Sequence, residues 1–265
     1  MTKESGADDD VFSSWDYKLS PRDQALFLIR DHDIEAQLLA IRGVLQQNRQ
    51  DEATVTEAIK ALDHQIRTYD GGDERYQMHM EDHWADTMHG TVFQDAAHSM
   101  SAVGMLAPFV ESLFVAFFTA LRAERAAEGQ GDPRAKAMQD QYWNAQLVFR
   151  QGEMKPDLVA GIAQLSTSIG LQSFLPEGYE KTFAALFGYR NNMFHNGFEW
   201  PMEARLKFGK RIATDKWPEA WFSKSTSGDE PWIFYMSDVF IEHCLTTIDQ
   251  VIAGVGKYLA QAKVE

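Results

Sequence analysis

Hydrophobic residues recur at spacings of three and four along most of this chain, a pattern that predicts helices. In the first quarter, Ser20-Pro21 supplies an N-cap and a first-turn proline. The periodicity predicts one helix from there to about Gln47 and a second over about residues 55–66. Together they would form a helical hairpin that ends at Asp70-Gly71-Gly72, where the glycines favour a turn.

The rest of the chain contains longer apolar periods. Residues 93–125 predict one long helix that is interrupted or kinked near Gly104 and Pro108. This helix is apolar around so much of its circumference that it belongs at the centre of a bundle. Residues 201–232 show no clean periodicity and are interpreted as a long ordered loop, and residues 126–134 as a shorter one. Further helices are predicted over residues 135–149, 157–170, 179–196 and 237–262.

These elements predict an all-α fold, a helical bundle with an added N-terminal helical hairpin. We expect an acidic tail over residues 1–19, the hairpin over residues 20–72 and the bundle over residues 73–265. Within the bundle, the helices over residues 93–125, 179–196 and 237–262 should pack as neighbours. No alternation of apolar and polar residues typical of strands stands out.

Composition narrows the function further. A net charge of −14 argues against a broad surface that coats nucleic acid, but it leaves room for a small recessed cationic site. The single cysteine, Cys244, lies in a helical pattern and is interpreted as a buried thiol in a reducing compartment. The first residues lack the features of a secretory signal, and the apolar run at 109–121 is too short to span a bilayer. We therefore expect a soluble, cytoplasmic protein without a membrane partner.

Two charged residues interrupt apolar helix faces. Arg190 lies on the apolar stripe of the helix over residues 179–196, where a leucine would be the ordinary choice. An inward arginine keeps its charge and needs a carboxylate, a phosphate or a subunit interface. Glu111 is the corresponding anomaly in the central helix, and a buried carboxylate is costly unless it is paired. We therefore expect Glu111 and Arg190 to form a salt bridge.

The same helix carries a motif. Its sequence from Arg190 through Asn191 and Asn192 to His195 resembles the R-N-x-x-x-H signature of HEPN domains, a family of all-helical modules that handle nucleotides and RNA. The helix should end at Asn196-Gly197, which leaves His195 exposed in its last turn. The resemblance implies a HEPN-like bundle in the last two thirds of the chain.

The resemblance also implies a function, metal-independent cleavage of RNA without a cofactor. In that function Arg190 would stabilise the phosphate, His195 would transfer protons, Asn191 would support them, and Glu111 would orient the arginine. Asn192 is a further supporting residue. Because the chain holds only one such motif, the resemblance implies a homodimer with a shared cleft. Many HEPN proteins act as toxins or antiviral defence effectors, so an antitoxin or regulatory protein is a possible partner.

The chemistry of the side chains agrees with this function. Attack by a 2′-hydroxyl on the adjacent phosphate needs a proton acceptor, a proton donor and positive charge, but no metal. Histidine, with an ordinary pKa of about 6.5, serves both proton transfers near neutrality. Arginine binds two phosphate oxygens with its planar fork.

A second interpretation stays open. Arg190 would form only a structural pair with Glu111, and His195 would interact with the dipole at its helix end. The protein would then be a noncatalytic module that binds a nucleotide or another protein.

A third candidate site involves metal. His79 and His83 are separated by four residues, the spacing at which two imidazoles on a helix can share one ion. The surrounding sequence does not match the catalytic H-E-x-x-H pattern, because Glu81 does not directly follow His79. A solvated polar helix face is the interpretation favoured here.

Overall fold

The computed structural model describes residues 19–124 and 133–262, and within them it confirms the all-α fold class. The predicted acidic tail, apart from Leu19, and most of the predicted loop over residues 126–134 lie outside the described residues. The helices are α1 Pro21–Leu28, α2 Ile34–Thr68, α3 Glu74–Glu124, α4 Pro133–Met138, α5 Leu158–Ser168, α6 Tyr179–Asn196, α7 Met202–Thr214 and α8 Asp238–Ala262.

The N-terminal helices break at a different place from the one predicted. α2 is continuous for 35 residues, from its N-cap Asp33 to Thr68. The predicted break between residues 47 and 55 is wrong, since that stretch contains no glycine or proline to stop a helix. The chain instead turns after α1, and α1 packs against α8 at the far end of the sequence, while α2 packs against α3.

Helix α3 is continuous for 51 residues, and it passes through Gly104 and Pro108 without interruption. It is the one described helix long and apolar enough to cross a membrane, and 61% of its most apolar stretch is buried inside the protein. Core helices commonly have this character. Its central part packs against α6 and α8, which also contact each other, so the predicted three-helix neighbourhood is confirmed. Cys244 of α8 is fully buried, as predicted, and burial raises the pKa of its thiol.

The predicted helix over residues 135–149 is wrong beyond its first turn. α4 ends at Met138, and the chain then enters a hairpin of β1 Leu147–Arg150 and β2 Glu153–Pro156. The two residues of its turn, Gln151 and Gly152, both have positive φ, as two-residue hairpins favour. Since each strand is only four residues long, too little alternation is present to show in the sequence.

The predicted loop over residues 201–232 is also wrong. It contains α7 and the antiparallel strands β3 Phe222–Ser227 and β4 Glu230–Met236. These elements close over an aromatic cluster, in which Tyr189 of α6 contacts rings from several segments of the chain. The cluster consists of Tyr189, Trp200, Phe208, Trp217, Phe222 and Phe234.

The contact between α1 and α8 gives a first prediction. A Cβ added at Gly256 would overlap the backbone carbonyl of Pro21. We expect Gly256→Ala to push α1 away from α8 and to lower the free energy of unfolding by about 1–3 kcal/mol, as overpacking typically does.

Gly43→Ala is the matched control, because Gly43 also lies within a helix and its added Cβ would meet nothing within 4 Å. That variant should gain up to about 1 kcal/mol from helix propensity. Chemical denaturation of both variants measures the difference. Equal stability would contradict the described packing of α1.

Candidate active site

Helix α6 is held on two sides, and this fixes the side chains that it presents. It begins after Gly178 and ends at Gly197, both with positive φ, and the Gly197 N–H donates to the Met193 carbonyl at 2.9 Å. Its inner residues Phe183, Leu186, Tyr189 and Met193 are buried. The Tyr189 hydroxyl donates to the Phe234 carbonyl at 2.9 Å. The predicted helix and its C-terminal glycine are therefore confirmed.

The outer side of α6 faces a cleft of about 1140 Å³. Its walls come from β1, one side of α5, the end of α7 and Glu111 of α3. Arg190 and Asn191 both line it. Arg190 is half-buried and Asn191 is exposed, so a ligand in the cleft can reach both.

Glu111 lines the same cleft but does not pair with Arg190, so the predicted salt bridge is wrong. Its Oε1 accepts a hydrogen bond from Gln146 Nε2 at 2.8 Å. Gln146 immediately precedes β1, which the sequence analysis placed in a helix. Because Glu111 is satisfied there and Arg190 is only half-buried, neither group needs the other.

His195 is exposed in the last turn of α6, as predicted, but it is not among the residues that line the cleft. His195 comes five positions after Arg190, which places the two side chains about 140° apart around the helix. It comes four positions after Asn191, so the side chains of Asn191 and His195 lie on the same face of α6, one turn apart. Asn192 is half-buried, and its Nδ2 donates to the Gly188 carbonyl at 2.9 Å, a contact within the helix.

The structure adds an arginine that the sequence analysis missed. Arg211 of α7 lines the cleft, with its guanidinium 4.8 Å from the centre of the Trp217 ring and its Nε donating to Asp215 at 2.8 Å. Gly188 permits this approach, since an added Cβ would lie 2.8 Å from Arg211 Nη1. The four-residue spacing of Ala204, Phe208 and Ile212 was the available signal for α7.

Charged side chains of both signs line the cleft. Its four carboxylates are all engaged, in contacts between Glu111 and Gln146, Asp157 and Arg150, Glu180 and Gln172, and Asp215 and Arg211. Arg190 and Lys181 make no ion pair with any described residue. The four carboxylates are matched by four cations (Arg150, Lys181, Arg190 and Arg211), so the charges that line the cleft balance, and Arg190 is a half-buried cation without an ion-pair partner among the described residues.

Within the described part of the chain, the deeply buried arginine is Arg134, whereas Arg190 is half-buried. Arg134 is 1% exposed, and it donates to the carbonyls of Tyr142, Asn144 and Leu147 and to Gln164 Oε1, all within 2.8 Å. The Gln164 side chain in turn accepts a hydrogen bond from the Phe149 N–H and donates one to the Phe149 carbonyl. This network attaches β1 to α5 and so builds one wall of the cleft.

His79 and His83, the candidate metal ligands, are not among the residues that line the cleft. His79 and His83 are both exposed on the first half of α3. Among the described residues, no group of three or more potential ligands is placed to hold a metal ion.

The fold and the site together define an all-α protein with a large polar cleft that is lined by Arg190 and Asn191. Comparisons of the chain with protein-family models, curated proteins and solved structures give no match. The HEPN resemblance therefore depends on the motif and on the helical character of the fold.

The contacts of Glu111 and of Arg134 give a second prediction. Glu111→Ala should lower the free energy of unfolding by less than about 1 kcal/mol, because it removes one hydrogen bond at a half-exposed group. Arg134→Met should cost about 3 kcal/mol or more, since several buried acceptors lose their donor at about 1–3 kcal/mol each.

Urea denaturation of both variants, with the unmodified protein as reference, measures the two effects. A large loss in Glu111→Ala would restore the predicted pairing with Arg190. A small loss in Arg134→Met would contradict the network described for β1 and α5.

Proposed function

We propose that this protein is a metal-independent endoribonuclease of the HEPN type. The observation that carries the proposal is Arg190, a half-buried cation that has no ion-pair partner among the described residues and lines a large cleft beside Asn191. An arginine in such a position binds phosphate through two parallel hydrogen bonds. The exposed imidazole of His195 lies one turn further along α6, on the face that carries Asn191.

The reaction would be an internal displacement at phosphorus. The 2′-oxygen of a ribose forms a bond to the adjacent phosphorus as the bond to the 5′-oxygen of the next nucleotide breaks. The 2′-hydroxyl gives its proton to a base, and the leaving 5′-oxygen receives a proton from an acid. The products are a 2′,3′-cyclic phosphate and a 5′-hydroxyl. Arg190 would stabilise the extra negative charge on the phosphorane oxygens.

A homodimer would supply the two proton-transfer groups. One chain contributes one His195, whereas the displacement needs both an acid and a base. Phe194, beside His195, is 58% exposed, and its ring lies over Gly104 of α3. A second copy that covered this residue would bring a second His195 to the cleft. In this proposal the protein acts in the cytoplasm as a toxin or antiviral effector restrained by an antitoxin or regulatory protein.

One observation favours the alternative, a noncatalytic module that binds a nucleotide or a protein. His195 does not line the cleft of the single chain. If no second copy adds its own histidine, Arg190, Lys181 and Arg211 would still bind a phosphate without cleaving it. Binding of RNA without cleavage is therefore the result that selects this alternative.

The third prediction tests cleavage. Purified protein incubated with total RNA in excess chelator should produce fragments with 2′,3′-cyclic phosphate ends. His195→Ala should abolish cleavage with an unchanged melting temperature, since an exposed last-turn side chain contributes little packing. Arg190→Ala should abolish it as well. His83→Ala is the matched control, an exposed histidine that is expected to leave the rate unchanged.

Mixing the two inactive variants tests the shared cleft. If one His195 is enough for a site and that site takes Arg190 and His195 from different subunits, a mixture of His195→Ala and Arg190→Ala should regain part of the activity. A mixture that stays inactive would indicate either that each subunit works alone or that one site needs both histidines. Cleavage that stops with chelator but survives His195→Ala would overturn the proposal and return attention to His79 and His83.

A further inference from the structure

The second half of α2 and the first part of α3 form an arm that extends beyond the bundle. We define the arm as residues 51–88, which include the turn between the two helices. All hydrogen bonds, ion pairs and ring contacts that the structure describes for the arm stay within α2, α3 and that turn. Among the described residues, the main hydrophobic core takes none from this stretch. At 1.5 Å per residue, about 16 residues of each helix give the arm a length of roughly 24 Å.

The apolar seam between the two helices of the arm is only partly covered. Nearer the bundle, the apolar residues Ile34, Leu38, Ile41 and Leu45 of α2 are all buried. In the arm, the apolar residues of α2 keep the helical spacing but are all half-buried. These seam residues are Val55, Ile59, Leu62 and Ile66.

The α3 side of the seam is also partly open. Met80 is 4% exposed, whereas Trp84 is half-buried, and Tyr76 and Met88 are 43% and 40% exposed. Each of these residues is four positions from the next along α3, so they follow one face of the helix. Two helices cover a shared apolar stripe from only one direction each, and a third helix is the ordinary way to complete such a layer.

The arm carries half of the net charge of the chain. Residues 51–88 contain ten carboxylates and only three cations, a net charge of −7 out of −14. Two of the three cations, Lys60 and Arg67, are already paired with Glu57 and Asp63 of the same helix. A surface with this excess attracts a partner of the opposite sign.

We propose that the seam of the arm binds an amphipathic helix of another protein, whose apolar stripe is flanked by lysines and arginines. The apolar stripe would pack along the seam and complete a three-helix layer. The flanking cations would face carboxylates beside the seam, such as Asp51, one turn before Val55, and Glu81, directly after Met80.

The charge of the arm disfavours the other candidate occupants. A second copy of the chain would place an equal net charge of −7 against the arm, and RNA is also an anion. The first 18 residues of the chain, with five carboxylates and two lysines, have the same sign. The proposal is independent of the nuclease function, because the arm contains none of the residues that line the cleft.

The test uses three synthetic peptides of about 18 residues, long enough to span the arm as helices. The first has leucines at helical spacings of three and four and lysines elsewhere. The second has the same composition in an order that gives no stripe, and the third has the stripe but glutamates in place of lysines. Fluorescence anisotropy with the full-length protein at about 0.15 M ionic strength should show the first binding about tenfold tighter than the second. The third should not bind.

Two variants distinguish the seam from general attraction to an acidic protein. Ile66→Ser should weaken binding of the first peptide about tenfold, because it removes apolar surface from the seam. Leu39→Ser, which changes a 72% exposed leucine on the same helix outside the arm, should leave the affinity unchanged. Hydrogen exchange of the unmodified protein decides the question even if Ile66→Ser does not fold, since the peptide should slow exchange within residues 51–88.

Four results would overturn the proposal. These are no binding at about 100 μM of the first peptide, equal binding of the first peptide and either of the others, equal loss in both variants, and slowed exchange only outside the arm. Self-association that Ile66→Ser abolishes and Leu39→Ser preserves would also overturn it, and would assign the seam to a second copy. Because RNA cleavage is assayed separately, failure here leaves the nuclease proposal standing, and the reverse also holds.

Discussion

The burial of helix α6 is the constraint on which the rest of the site depends. On one side Phe183 packs edge-on against Phe114 of α3, with ring centres 6.0 Å apart. On the other side Tyr189 stacks with Phe222 at 5.6 Å and contacts Trp200 at the same distance. With both inner faces occupied, the helix cannot rotate without breaking the core. Arg190 and Asn191 are therefore held at the cleft by residues that never touch a ligand.

Helix α3 lines two separate cavities. Its residues 94–101 line a pocket that it shares with α2, where Asp51 and Glu52 are the charged lining residues, and its Glu111 lines the cleft, where carboxylates and cations are equal in number. At a rise of 1.5 Å per residue, these positions are about 15–25 Å apart along the helix. This exceeds the Debye length of about 8 Å at physiological ionic strength, so the two charge environments act independently.

Local signals in the sequence were sufficient for the central helices. In α6, the apolar period and the terminal glycine predicted the bounds of the helix and the exposure of His195. In α8, the apolar period predicted the burial of Cys244. The same signals were insufficient where glycine and proline were absent, as in α2, or where strands were short, as in β1 and β2. Pairing and packing against neighbouring strands and helices, rather than propensity, decide whether such short segments become strands.

What the sequence by itself determined was the helical class, the packing of α3, α6 and α8, and the motif from Arg190 to His195. Only the tertiary structure decided which charges meet. Glu111 accepts from Gln146 rather than pairing with Arg190, Arg211 reaches the cleft over Gly188, and His98 lies between carboxylates of two other helices. These contacts join residues from 23 to 140 positions apart, whereas helical periodicity reports only on neighbours three and four residues away.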